Sequence, residues 1–236
     1  MVRILVVEDD EKLNQIICAY LTQNDYQAKG CLNPIEAYDL LFAENYDLII
    51  SADSGIDFCR QAELMPDVIL GDFDSASPQA MAFYKGECPE RIETFPARKD
   101  WTDTELAVRK ALEAGAGQIT VLGATGTRLD HVLGNIQLLK QALDAGAECV
   151  LVDAHNRIRM TDRSLILQKK EQFGTYVSLI PFTPQVTGLT LRGFSYDVDQ
   201  AVLESGRTLG ISNEICREEA KIDLESGILL VMESRD

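Results

Sequence analysis

Pro66-Asp67-Val68-Ile69-Leu70-Gly71-Asp72-Phe73-Asp74-Ser75 is the stretch from which the rest of the chain can be read. Val68-Ile69-Leu70 is a short apolar run opened by Pro-Asp, the pattern of a buried strand. Gly71 lets the backbone turn as the strand ends. Asp72 and Asp74 then stand at the C-terminal edge of a sheet, where open α/β folds place their ligands. A second acidic pair follows in Lys99-Asp100-Trp101-Thr102-Asp103. Four carboxylates on two loops at one sheet edge do not all stay ionised cheaply without a cation. Mg²⁺ suits them, because it takes oxygen ligands and commonly bridges to phosphates. Aspartate is also common in turns for local hydrogen-bonding reasons. One such pair would carry little weight, and two pairs carry more.

Composition sets the outer bounds. The 236 residues suffice for one large domain or two modest ones. With 46% hydrophobic and 25% charged residues the chain is expected to be globular with a real core. Its 38 acids against 22 bases give a net charge of −16. That argues against nucleic acid or an anionic membrane as a partner. A nucleotide substrate remains compatible, because a local metal outweighs the global field. No stretch approaches a transmembrane span, and Met1-Val2-Arg3 leads into a strand pattern rather than a signal peptide. The cysteines at 18, 31, 59, 88, 149 and 216 form no Cys-x-x-Cys and fit free, mostly buried thiols in a reducing cytoplasm. With only two histidines, a His-rich zinc site is a poor fit.

Residues 1–50 alternate strand and helix patterns. Arg3–Val7 reads as a buried strand ended by Glu8-Asp9-Asp10. Leu13, Ile16, Ile17, Tyr20 and Leu21 have helical spacing. Tyr26–Cys31 is a second strand, Asn33-Pro34 opens a helix with Ala37, Leu40 and Leu41 on its apolar face, and Tyr46–Ile50 is a third strand. Ile4-Leu5-Val6-Val7-Glu8-Asp9-Asp10 and Tyr46-Asp47-Leu48-Ile49-Ile50-Ser51 resemble the first half of a response-regulator receiver domain. That resemblance implies a Mg²⁺-binding acidic cluster after the first strand and a phosphorylated aspartate directly after the third. Here Ala52 stands at the acceptor place, and Asp53 is one position late, on the other face of an extended strand. The receiver's later Thr/Ser and Lys signals are not recognisable. The segment is therefore expected to be a structural remnant, with Glu8, Asp9 and Asp10 equally readable as a solvated turn before a helix.

Beyond it, Ala52-Asp53-Ser54-Gly55 ends the third strand and a helix carries Ile56, Phe58 and Cys59. Pro78–Tyr84 is expected to be helical and Ile92–Pro96 a short strand. Thr102 and Glu105 have capping-box spacing, and Ala107, Val108, Ala111 and Leu112 form an apolar stripe. Asp103 thus falls in a helix's first turn, where complementing the dipole is the alternative to ligand binding. Gln118–Leu122 is a strand that runs into Gly123-Ala124-Thr125-Gly126-Thr127-Arg128-Leu129-Asp130-His131. Glycines there let backbone N–H groups approach phosphate, and Arg128 suits bidentate contact with phosphate oxygens. No Gly-Lys-Ser/Thr follows, so this is not a Walker loop. Gly134–Ala145 reads as a helix. After Cys149–Asp153 the helical periods stop, and His155-Asn156 reads as a hairpin turn. Short β-type runs follow at 164–168, 174–180, 186–192, 207–211, 219–224 and 227–233, punctuated by glycines, as in an all-β sandwich or barrel. The boundary is placed near residue 156.

Five motifs in order resemble thiamin pyrophosphokinase. They are Ala52-Asp53-Ser54-Gly55, the Pro66–Ser75 stretch, Asp100-Trp101-Thr102-Asp103-Thr104-Glu105, Gly126–His131 with Asn135, and Gly210-Ile211-Ser212-Asn213-Glu214 with Gly227–Val231. The resemblance implies an α/β fold: a doubly wound parallel-sheet nucleotide-binding domain over 1–156, then a C-terminal all-β sandwich over 157–236. It implies Mg²⁺-dependent pyrophosphoryl transfer from ATP to the thiamin hydroxyl, in a cytoplasmic homodimer with a shared active site. By motif, Asp72, Asp74, Asp100 and Asp103 carry over as the catalytic, Mg²⁺-binding acids. Asp53, Ser54, Gly55, Thr102, Arg128, Asp130 and His131 carry over to the nucleotide, and Ser212 and Asn213 to thiamin.

The residues suit that chemistry independently, since phosphoryl transfer needs positioning and charge neutralisation more than covalent help. One aspartate would accept the hydroxyl proton, and the sequence leaves open which. His131 also reads as a packing or cap residue, and Ser212-Asn213 as turn chemistry. In the family one βα unit normally precedes the Ala-Asp-Gly/Ser-Gly strand. Here a receiver-like β-α-β-α segment stands instead, so a chimeric junction near residues 47–51 is expected. A signalling module, or a chain that binds nucleotide without turnover, are the competing functions.

Overall fold

The computed structural model describes residues 3–7, 27–31, 46–96, 98 and 100–236. They fall into two compact units, Met1–Ala107 and Val108–Asp236. The helices expected over 11–23 and from Asn33-Pro34, the Glu8-Asp9-Asp10 turn and Lys99 lie outside the described residues.

In the first unit, β1 (Arg3–Val7) and β2 (Gln27–Cys31) pair in parallel, Arg3 opposite Gln27 and Val7 opposite Cys31. β3 (Ile50–Ala52), β4 (Val68–Gly71) and β5 (Ile92–Thr94) form a three-stranded parallel sheet in that order. Pairing of β3 begins at Ile50, opposite Val68, and not at Tyr46 as the apolar run suggests. Asp67 explains the offset. Its carboxylate accepts the Ile49 N–H at 2.9 Å, while its own N–H and that of Val68 donate to Ile49 O at 2.8 and 3.2 Å. A side chain thus stands where a ladder bond would begin.

Parallel neighbours need crossover connections, and α1 (Gly55–Gln61) and α2 (Pro78–Glu87) supply them. α2 starts as its sequence dictates: Ser77 Oγ accepts the Ala80 N–H at 3.2 Å and Pro78 fills the first turn. Ile56 and Cys59 of α1, with Ala80 and Tyr84 of α2, bury against Ile69 of β4. Tyr84 is fully buried, and its hydroxyl donates to Leu64 O at 2.8 Å. The capping spacing is also realised at α3 (Asp103–Glu113), where the Glu105 N–H donates to Thr102 Oγ1 at 3.2 Å.

The second unit opens with β6 (Gln118–Leu122) and β7 (Glu148–Val152), parallel and joined through α4 (Leu129–Asp144). α4 begins before the glycine at which the apolar pattern starts. β7 turns back into β8 (Asn156–Thr161), the Asp153 carboxylate accepting the N–H groups of His155 and Asn156 at 2.7 Å each. With β15 (Leu229–Ser234), β10 (Tyr176–Pro181) and β13 (Asn213–Glu214) the sheet order is β13-β10-β15-β8-β7-β6, and residue 156 lies inside it. A second, antiparallel sheet has the order β12-β11-β14-β9, from β9 (Leu165–Gln168), β11 (Gln185–Arg192), β12 (Val198–Glu204) and β14 (Glu219–Asp223).

Alternation sorts the side chains. Val177, Leu179, Leu229 and Val231 meet Val186, Leu189, Leu191 and Ile222 of the second sheet. On the opposite face, Cys149, Leu151, Ile158 and Met160 receive Ile136, Leu139 and Ala142 of α4. Residues 207–211, expected as a strand, are turns. The strand nearby is β12, which the sequence pattern does not mark: Gln200 has φ +50° and the β11–β12 register shifts twice, so alternation is broken.

A polar cluster interrupts this apolar sandwich. Glu233 is 1% exposed. It accepts from Arg157 Nε and Nη2 at 2.7 and 2.6 Å, from Arg159 Nη2 at 3.1 Å and from the Phe173 N–H at 3.2 Å. Glu233→Ala would leave two arginines, Arg159 mostly buried, without their shared counter-charge. The expected loss is about 3 kcal/mol, read as a lower urea midpoint at unchanged slope. An unchanged midpoint would show that the cluster contributes nothing to stability.

Candidate active site

The three parallel strands β3, β4 and β5 end on one edge, and the acids gather there. Asp53 directly follows β3, and Asp72 and Asp74 follow β4. One oxygen from each of the three lies within 4.8 Å of the others. Local backbone geometry produces this convergence. The Asp53 N–H donates to Leu70 O at 2.8 Å, and Asp53 and Phe73 both sit in the left-handed region, at φ +47° and +62°. Gly71 has φ +148°, and a Cβ there would lie 3.1 Å from the Asp53 backbone and 3.3 Å from Asp103 Oδ1. The missing side chain is therefore what admits Asp53 and Asp103 to the end of β4. Asp72 Oδ1 accepts the Asp74 N–H at 3.1 Å, and the Ser75 hydroxyl donates to Asp74 Oδ1 at 2.9 Å.

The electrostatics are those of crowded carboxylates. Burial first, and then the charges of Asp103 and Asp74, push the Asp53 carboxyl above its ordinary range, against hydrogen bonds from Ser54 and Ser75 that pull it down. Among the described residues, Asp53 Oδ1 is a buried oxygen with no hydrogen-bond partner. An all-oxygen donor set with one oxygen left unsatisfied fits a hard divalent cation such as Mg²⁺. The sequence assigned Asp53 to the nucleotide; the structure groups it with Asp72 and Asp74. Asp103 stands beside them at the start of α3, while Asp100 is exposed in the turn before it and outside the group of three. Ser54 is the N-cap of α1, Gly55 its first residue, and Thr102 caps α3.

The glycine-rich loop of the second unit is held from two sides. Buried Asn135 donates from Nδ2 to Ala124 O at 2.8 Å. Asp153 is partly buried, which pushes its carboxyl up. Bonds from the Thr125 side chain and from His155 and Asn156 outweigh that and hold it below its ordinary range. Arg128 ends the loop at the N-cap of α4 and donates to Asp130 through Nε at 3.2 Å and Nη2 at 2.6 Å. This fork, with the His131 N–H, draws the exposed Asp130 carboxyl down to about 2. The structure gives His131 a backbone role there, its N–H donating to Asp130 Oδ1 at 3.0 Å.

In the β-rich part, Ser212 is exposed at φ +58°, its N–H donating to Ser178 Oγ at 3.0 Å. Asn213 is buried. Its Oδ1 accepts the N–H groups of Tyr196 and Glu214 at 3.0 Å each, and its Nδ2 donates to Tyr196 O at 2.9 Å. Its amide thus fixes the backbone of Tyr196, which is 72% exposed. Tyr196 escaped the sequence reading; the signal was an aromatic inside the turn Gly193-Phe194-Ser195-Tyr196-Asp197.

The family model "Thiamin pyrophosphokinase, catalytic domain" matches residues 40–151, and "Thiamin pyrophosphokinase, vitamin B1 binding domain" matches 164–229. The chain is 34% identical over 195 residues to thiamine pyrophosphokinase of Bacillus subtilis (strain 168), spanning 83% of this chain and 91% of the relative. A crystal structure of thiamine pyrophosphokinase from Bacillus subtilis superposes with a TM-score of 0.78 at 34% identity, covering 84% of this chain and 92% of that one. The transcriptional regulatory protein ResD of Bacillus subtilis (strain 168) is 29% identical over 134 residues, 52% of each chain.

The raised Asp53 carboxyl fixes the sign of a pH effect. A carboxyl whose folded pKa lies above its unfolded value contributes stability at low pH and loses it as pH rises through the folded pKa. Metal-free Asp53→Asn is therefore expected to melt higher than the parent at pH 7, with the difference shrinking toward pH 3. Adding Mg²⁺ should raise the melting temperature of the parent and leave that of the variant unchanged. Equal metal-free melting at both pH values would refute the assignment of strain to Asp53.

Proposed function

The chain belongs to the thiamin pyrophosphokinase family, and on that premise we propose that it moves the pyrophosphoryl group of ATP onto the hydroxyl of thiamin, releasing AMP and thiamin diphosphate. It is a thiamine diphosphokinase. The observation that carries this reading to particular atoms is the convergence of Asp53, Asp72 and Asp74 within 4.8 Å at the end of a parallel sheet.

Asp72, Asp74 and Asp53 would hold Mg²⁺, with Asp103 beside them and Asp100 at the entrance to α3. Bound there, the cation neutralises charge on the phosphate oxygens. The protein's own groups do the rest. Arg128 commits Nε and one Nη2 proton to Asp130 and keeps the remaining donors of its fork for phosphate. Thr102, Ser54, Gly55 and His131 line the nucleotide side in this reading. One carboxylate of the cluster accepts the proton of the thiamin hydroxyl. Ser212 offers a neutral hydroxyl to thiamin, and Tyr196 offers an aromatic face to a cationic aromatic ring. Asn213 acts through Tyr196, whose backbone it holds.

The finer architecture belongs to the same proposal. It divides the chain into a doubly wound nucleotide-binding part over 1–156 and a thiamin-binding sandwich over 157–236, supported by the matched segments over 40–151 and 164–229. The first fifty residues derive from receiver-type material without phospho-signalling. Ala52 at the end of β3 supports that loss. Four described cysteines, Cys59, Cys88, Cys149 and Cys216, are free thiols, which supports a cytoplasmic setting. Among the described residues no helix is long and apolar enough to cross a membrane.

Purified protein given Mg²⁺, ATP and thiamin is expected to form AMP and thiamin diphosphate in equal amounts; folded protein that forms neither overturns the reading. Asp74→Asn should lower turnover at least about 100-fold while the fold stays intact. Parent-level turnover would remove Asp74 from the site. Asn213→Ala should raise KM for thiamin about tenfold and leave KM for ATP unchanged. In a homodimer with a shared active site, mixing these two variants restores one intact site per mixed dimer. Once fluorescence transfer shows subunit exchange, activity no greater than the sum of the separate variants would exclude sharing.

A further inference from the structure

Asp57 lies in the first turn of α1, one helical turn beyond Asp53, and belongs to none of the acids assigned above. Both of its carboxylate oxygens are taken by one residue of the other acidic loop. Ser77 donates its N–H to Asp57 Oδ2 at 2.9 Å and its hydroxyl to Asp57 Oδ1. The Ser77 oxygen in turn accepts the Ala80 N–H at 3.2 Å, which caps α2. One short chain of contacts therefore runs from α1 to the start of α2. Each of these helices leaves from a loop that carries candidate metal ligands: Asp53 precedes α1, and Asp72 and Asp74 precede α2.

We propose that the Asp57–Ser77 pair is the clamp that sets the separation of the two acidic loops, making both residues positioning residues for the divalent cation. The inference rests on the metal assignment proposed above. Its physical ground is repulsion. Asp53, Asp72 and Asp74 push the loops apart whenever no cation is bound. On the strand side the loops are tied by the Asp53 N–H bond to Leu70 O at 2.8 Å. On the helix side the tie is Asp57–Ser77, and it is partly buried. With both ends fixed, the carboxylates are held close before the cation arrives, so binding does not have to order them. A residue that only caps a helix would affect stability and leave the cation affinity of the folded protein unchanged. A clamp affects that affinity.

The test is a Mn²⁺ titration of the purified full-length chain by electron paramagnetic resonance, without nucleotide, Mn²⁺ standing in for Mg²⁺ at oxygen ligands. Asp57→Ala and Ser77→Ala are expected to weaken Mn²⁺ binding about 10- to 100-fold. Asp57→Asn keeps an oxygen for the Ser77 N–H and offers an amide N–H to the Ser77 oxygen, so it should bind within about threefold of the parent. Thermal melting checks that each variant is folded. Should Asp57→Ala not fold, Ser77→Ala, which keeps the backbone N–H contact, carries the test. Folded alanine variants that bind Mn²⁺ as the parent does overturn the clamp alone. A parent without Mn²⁺ affinity overturns the metal assignment and the clamp with it.

Discussion

The constraint on which the first unit depends is the mutual repulsion of its own carboxylates. At about 4.8 Å and an effective dielectric of about 20, one like-charged pair costs roughly 3–4 kcal/mol, less where Asp74 faces water. Three such groups at one sheet edge would normally separate. The backbone prevents it at a further cost. Phe73 occupies the left-handed region, a conformation unfavourable by about 1–2 kcal/mol for residues with a side chain. Asp53 does so too, at lower cost, since aspartate tolerates that region through local hydrogen bonds. Strain of this kind persists only where the surroundings over-determine it. Here they do so through the Leu70 carbonyl, the absent side chain of Gly71 and the helices pinned behind the loops.

The second unit meets a different constraint with a similar means. A six-stranded sheet covered by α4 on one face and by a second sheet on the other has little room for polar groups. It nonetheless keeps Glu233 with Arg157 and Arg159 beside the C-terminal strand, and Asn213 under Tyr196. In both places a buried polar side chain fixes backbone that would otherwise be free. Arg157 also reaches Glu171 O at 2.9 Å, and its guanidinium lies 5.7 Å from the centre of the Phe173 ring. The Asn213 amide accepts from and donates to the same residue, so the exposed tyrosine ring stands on a determined base. A polar group used internally in this way rigidifies a site without touching its ligand.

These facts separate what the sequence could show from what it could not. The Gly71–Ser75 turn was legible because strand, glycine and acids are contiguous. The α2 and α3 starts were legible because caps are local signals. Asp53 was assigned to the nucleotide because its partners lie a whole strand away, and only the pairing of β3 with β4 brings them together. Asn213 read as a ligand residue because sequence shows that an amide is present and not which groups it has already satisfied. β12 was hidden by Gln200, whose positive φ breaks the alternation that marks a strand. The run 207–211 misled for the converse reason. It has strand-like residues, but Gly210, at φ +100°, approaches Leu179 O so closely that a Cβ would lie 2.8 Å from it. That contact makes a turn against β10 and not another strand.

A chain of net charge −16 must also bind a polyanionic nucleotide. Its long-range field opposes the approach, so the attraction has to be local and within about a Debye length. The carboxylate cluster becomes attractive to phosphate only with a cation in place. In the proposed reading Arg128 supplies the other positive charge, and its pairing with Asp130 looks at first like a loss. Two features make it an advantage. The pair is mostly solvent-facing, so it is weakly held and a phosphate oxygen can replace the carboxylate with little penalty. Asp130 stays ionised far below neutral pH, so before the nucleotide arrives the guanidinium stays paired at the head of α4. The loop behind it is anchored through Asn135 and Thr125. An arginine that is oriented but weakly held needs less ordering on binding than a free one, and that offsets part of the work done against the chain's own charge.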